Sequence, residues 1–160
     1  MRRREFIILL SSAAAWPLAA HAQQRKGMRH IGMLISGAEN HPQWQDPVAA
    51  FRHRLQQLGW TVGQNLQIDY RWASDIRRIQ NSAAELVSLA PDVLFTMSTM
   101  SVLAMRDKTN AIPIVFAIVT DPVGSGLIRT LARPGINVTG FTNYEFSTSG
   151  KWLELLKEMA

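Results

Sequence analysis

Hydroxyls, one carboxylate and a few aromatic rings sit where apolar runs of this chain give way to turns. Ser36 and Gly37 close the run HIGMLIS (His30 to Ser36), and Ser98 and Thr99 follow Val93 to Met97. Thr120 and Asp121 follow IPIVFAIV (Ile112 to Val119). Hydroxyls and backbone N–H groups ahead of a helix can hold a carboxylate or another anion. Asp121 can accept hydrogen bonds from a ligand amine. Trp44, expected in the loop after the first strand, and Tyr144, beyond the fifth, can stack on a flat or apolar ligand. This is binding chemistry. Each group also has a structural alternative: Ser98 or Thr99 can cap a helix, and Asp121 can fix the Asp-Pro turn through an Asx-type bond.

No catalytic constellation accompanies these groups. Past residue 22 the histidines are His30, His41 and His53, and none has a histidine or carboxylate partner at metal-ligand spacing. A G-x-S-x-G nucleophile elbow is absent. Gly124-Ser125-Gly126 begins like a phosphate loop, but Arg129 stands where G-x-G-x-x-G needs its third glycine. No cysteine is present, which removes disulfides, thiolate metal sites and cysteine nucleophiles. The expectation is a binding protein without cofactor or metal, and not an enzyme. A flavodoxin-like enzyme cradling phosphate at residues 120–126 is one alternative; a non-transport sensor or interaction module is another.

The elements that must position these groups alternate. Strands are expected at His30 to Ser36, Leu66 to Trp72, Val93 to Met97, Ile112 to Val119 and Val138 to Thr142. The first helix is expected to start near Pro47 with Asp46 as its cap, carrying Val48, Phe51, Leu55 and Leu58 on one face until Gly59. Ile76, Ile79, Ala83 and Leu86 mark a second helix, stopped before Pro91. A third runs from the Ser98–Thr99 cap towards Lys108, a short one spans Ser125 to Ala132, and the last spans Gly150 to Met159. Such alternation, with near-continuous apolar strands, predicts one α/β lobe: a Rossmann-like or flavodoxin-like parallel sheet flanked by helices. Right-handed crossovers place every strand's carboxyl end on one edge, where open α/β sheets bind ligands.

The first 22 residues read as an export signal. Arg2, Arg3 and Arg4 precede an apolar core, and Ala20-His21-Ala22 fits a small-x-small cleavage site. Arg3-Arg4-Glu5-Phe6-Ile7 matches a twin-arginine motif; an ordinary Sec signal is the alternative. The expected product is residues 23–160, free and soluble in the periplasm, with no cysteine to lipidate. Arg2, Arg3, Arg4 and Glu5 give that signal a net +2 of the formal charge of +5, and the remaining basic residues are scattered. A nucleic-acid partner is therefore not expected.

The order and spacing of IGMLISG, QLGW, PDVLFT, IPIVFAIVTDPVGSGL, LARPGINVTGF and KWLELLKEMA closely resemble a family of bacterial ABC-transporter substrate-binding proteins. The resemblance implies a type I periplasmic-binding fold, in which a small molecule is held between two α/β lobes and delivered to an inner-membrane permease. It places the first lobe's cleft edge at Ser36–Gly37, Ser98–Thr99 and Thr120–Asp121, and suggests amino acids or other small organic solutes as cargo. It also implies that Ala160 falls about halfway through the family's fold, with the second lobe absent. Trp152, Leu155 and Leu156 of the last helix would then lack their cover unless a second lobe or a second copy supplies it.

Overall fold

A computed structural model describes residues 27–135, 137–144 and 146–159. The proposed signal and cleavage site lie outside the described residues, as does the Tyr144 side chain. Five strands, β1 (Arg29–Ser36), β2 (Leu66–Ala73), β3 (Val93–Thr96), β4 (Ile114–Thr120) and β5 (Val138–Tyr144), form one sheet in the order β2-β1-β3-β4-β5. Every neighbouring pair is parallel. The helices are α1 (Pro42–Gln57), α2 (Ile76–Ser88), α3 (Thr99–Arg106) and α4 (Phe146–Met159). The parallel α/β lobe is the one its pattern predicts.

β1 explains why the sheet is covered on both faces. Its residues 31–35 are buried without interruption, and side chains alternate between the two sides. Met33 and Ile35 join Val48 and Met97, with Phe51 and Phe95 packed against them. The Phe51 and Phe95 rings stack at 4.5 Å, tying α1 to the sheet. Leu34 faces the other way, into a larger cluster with Ala83 and Leu86 of α2, Val102 and Met105 of α3, and Leu94 and Phe116. Each such large apolar side chain contributes on the order of 1.5–3 kcal/mol through burial.

Three elements differ from the sequence reading, one of them α4, which begins at Phe146, four residues before the expected Gly150. α1 begins at Pro42, not near Pro47, and His41 rather than Asp46 caps it, its Nδ1 accepting the Gln43 amide at 3.3 Å. Pro42 has no N–H to leave unpaired, so it suits the first turn, and Pro47 is absorbed one turn further in. The short helix expected over Ser125–Ala132 is instead a chain of turns. Leu127 and Ile128 explain the difference: both amides return to the Pro122 carbonyl, at 2.9 and 3.1 Å, and both side chains are drawn into the core.

α4 carries its apolar side chains largely in the open. Trp152, Leu155 and Leu156 are 45%, 56% and 62% exposed, and Met159 is 84% exposed. Among the described residues no helix is long and apolar enough to cross a membrane.

Candidate ligand-binding site

Register brings the polar ends of the strands to one edge. Ser36 pairs with Ala73 across β1 and β2, Leu34 with Thr96 across β1 and β3, and Thr120 with Tyr144 across β4 and β5. The first three residues after β3 turn into α3, so the helix opens directly behind the end of β1.

Ser36 and Ser98 meet there, 62 residues apart in sequence, with their Oγ atoms at 2.5 Å. Ser98 is the N-cap of α3: its backbone is extended and its Oγ accepts the Ser101 amide at 3.2 Å. The capping alternative therefore describes Ser98 correctly, and the same oxygen still faces Ser36. Thr99 is the first residue of the helix and is half-buried. A third hydroxyl completes the group. Ser101 Oγ lies 2.7 Å from Ser36 Oγ and 3.0 Å from Ser98 Oγ, and Ser101 is fully buried. Sequence reasoning missed Ser101. Its signal was the three-residue step from the cap, which puts position 101 beside position 98 on the helix's inner side.

Asp121 stands on the far side of the edge, after β4. Its carboxylate accepts the Gly124 amide at 2.9 Å, and its own carbonyl accepts the Ser125 amide at 3.0 Å. It closes the Asp-Pro turn, with φ at 42°. Arg106 of α3 reaches across to the Gly126 carbonyl at 2.9 Å and joins this turn to the helix behind the serines. Ahead of the turn, Ile118 also holds a positive φ, 59°, where the β4–β5 register slips between Phe116 and Val119. That bulge leaves Thr120 exposed at the rim.

Trp44 lies in the first turn of α1, not in a loop. It is half-buried, packed against the Met33–Ile35 side of the core. Its indole also occupies the space a side chain at Gly37 would need. Trp44 thus bounds the edge beside Ser36 and Gly37 while contributing to packing. Asn137 staples the start of β5: its Nδ2 donates to the Thr109 and Ile112 carbonyls at 3.3 and 2.7 Å.

The opposite edge of the sheet gathers ionised groups. Asp92 accepts from the His30 amide at 2.8 Å and from Arg29 at 2.8 Å; these bonds hold its carboxyl below the ordinary value. Asp69 bonds His30 Nε2 and Gln67 Nε2. Partial burial raises its pKa, but these bonds and the nearby positive charge prevail, so the net direction is downward. A concavity of about 250 Å³ there is lined by Arg29, His30, Trp60 and Asp92, far from the hydroxyl cluster. Among the described residues no group of histidines and carboxylates could hold a metal ion.

A two-faced parallel lobe with its polar groups collected at the strand carboxyl ends is the architecture of periplasmic-binding-protein-like substrate-binding domains. Residues 34–160 match the family described as ABC transporter substrate binding protein, and the chain belongs to it. It is 36% identical over 135 residues to a tyrosine-binding protein of Clostridioides difficile strain R20291, covering 84% of this chain and 38% of that one. It is also similar to a ligand-free, open substrate-binding protein with adhesive properties from Clostridium difficile: TM-score 0.71, 34% identity, 81% of this chain and 43% of the other. An ABC domain in complex with L-Trp from Streptococcus pneumoniae aligns with TM-score 0.67 and 26% identity, covering 72% of this chain and 39% of that one. The chain spans about two-fifths of the length of these relatives.

Proposed function

We propose that this lobe forms one wall of the solute-binding cleft of an ABC import system, and that its carboxyl edge takes an aromatic amino acid. The observation that carries the reading is the junction of Ser36 and Ser98, two hydroxyls brought to 2.5 Å at the edge where α/β sheets receive ligands. Thr99, Thr120 and Asp121 extend the polar rim, and Trp44 beside Gly37 supplies the apolar face. Two relatives, one named for tyrosine and one solved with L-Trp, support a ligand with an aromatic side chain. The protein works in the periplasm after loss of residues 1–22, and hands its cargo to an inner-membrane permease. A second lobe closes the cleft from the other side, moving about a hinge.

Titration calorimetry with L-tyrosine and L-tryptophan tests the ligand. Saturable binding to the wild type that Ser36→Ala or Ser98→Ala weakens about tenfold is the expected result: the first removes a hydrogen bond to a charged group, and the second removes the partner that fixes the Ser36 hydroxyl. Wild-type binding unaffected by both substitutions would place the site elsewhere. The intact mass of the protein recovered from the periplasm tests the rest. A start at Gln23 is expected, and a retained leader would overturn the export reading.

A further inference from the structure

The three serines leave each other few protons to spare. A hydroxyl has one proton to donate and two lone pairs to accept with. Ser36, Ser98 and Ser101 form a closed triangle with edges of 2.5, 2.7 and 3.0 Å, so three edges consume three protons. With Ser98 donating to Ser101, the ring runs Ser98 to Ser101 to Ser36 and back to Ser98. Ser98 accepts from Ser36 and also from the Ser101 amide, which fills both its lone pairs. Ser101 keeps one lone pair, but it is fully buried. What remains is a single lone pair on Ser36, which is half-buried at the end of β1.

We infer that Ser101 is a positioning residue that makes Ser36 an acceptor-only group, so that a ligand must bring an N–H, such as an amino-acid ammonium, to this corner of the edge. The inference rests on the reading of the carboxyl edge as the ligand site and adds a polarity to it. A carboxylate placed at Ser36 would meet an oxygen whose proton is already committed. Taking that proton would break one edge of the ring inside the lobe, where an unmade hydrogen bond is costly. The ligand's carboxylate must then be met by other groups, and the ammonium lies against the β1 end.

The experiment titrates the wild type and Ser101→Ala with L-tyrosine, with tyramine, which lacks the carboxylate, and with 3-(4-hydroxyphenyl)propionate, which lacks the ammonium. The wild type should prefer L-tyrosine to the acid by about tenfold, the worth of one hydrogen bond to a charged group, with tyramine reporting separately what the carboxylate contributes. Ser101→Ala removes two edges and frees one proton for the cleft, so the preference should collapse towards parity. Circular dichroism of the variant controls for folding. A double-mutant cycle of Ser36→Ala and Ser101→Ala, read by urea denaturation, should show non-additive losses. A preference unchanged in Ser101→Ala, a wild type that favours the acid, or an additive cycle would each overturn the inference while leaving the aromatic-ligand reading intact. Failure of all three probes to bind the wild type would overturn both.

Discussion

Asp121 and Gly124 form a closed turn: the Asp121 carboxylate accepts the Gly124 amide at 2.9 Å while the Asp121 backbone sits at φ 42°. Short side chains that bond their own backbone tolerate this left-handed region, and that is the physical reason for an aspartate here. The proline that follows holds the next φ and offers its carbonyl to Leu127 and Ile128. A carboxylate committed on one oxygen still has lone pairs for a ligand amine, so turn and ligand roles coexist and can be separated.

Asp121→Ala should lower stability by about 1–2 kcal/mol, through the left-handed alanine and the lost turn bond. Asp121→Asn keeps the accepting oxygen and tolerates the backbone, so its urea midpoint should stay close to wild type. A fall in L-tyrosine affinity in Asp121→Asn alone would assign the charge to the ligand. An unchanged midpoint in Asp121→Ala would mean that the backbone bonds hold the turn without the side chain.

Gly37→Ala should disturb the junction of β1 and α1. A Cβ there would lie 2.7 Å from Trp44 Cδ1 and 3.3 Å from Cε2, well inside contact distance. The expected cost is about 1–3 kcal/mol by urea denaturation, typical of overpacking. Trp44→Ala in the same chain should recover part of that cost, because the two sites share one space, while the strain of a side chain at φ 158° remains. Strictly additive losses would contradict the packing described.

Acid should unfold the lobe partly through Asp92. Its pKa is depressed, first by the His30 amide and then by Arg29, so the folded state favours the carboxylate. That contribution is complete above the unfolded value of about 3.9 and is lost as pH falls through the lower folded value. Asp92→Asn should therefore flatten the dependence of stability on pH below about 4 while leaving the slope near neutrality unchanged. Both carboxylate and arginine are partly exposed, so added salt should reduce the effect. An acid limb of unchanged steepness would exclude Asp92 as a contributor.

Leu156→Glu on α4 should alter the urea midpoint little, within about 0.5 kcal/mol, because the side chain is already 62% exposed. The same change should lower binding of a hydrophobic dye to the protein. A large loss of stability would show that α4 is covered in solution.

The alternation of apolar runs, a helix cap at Ser98 or Thr99 and the parallel lobe were legible in the chain because each rests on local rules: period, capping chemistry and crossover handedness. Ser36, Ser98, Thr120 and Asp121 could be placed on one edge for the same reason, since parallel strands share a direction. Tertiary contacts decided the rest. Burial of Leu127 and Ile128 bent a helix-like stretch into turns, and Pro42 moved the start of α1 so that Trp44 left its loop for the core. The Ser36–Ser98–Ser101 triangle joins residues more than 60 positions apart, and no window along the chain contains both ends. Sequence supplied the residue types and the faces they occupy. Only the packing of α3 behind the end of β1 set which hydroxyls share protons, because hydrogen bonds act over 3 Å and local sequence rules do not reach across strands.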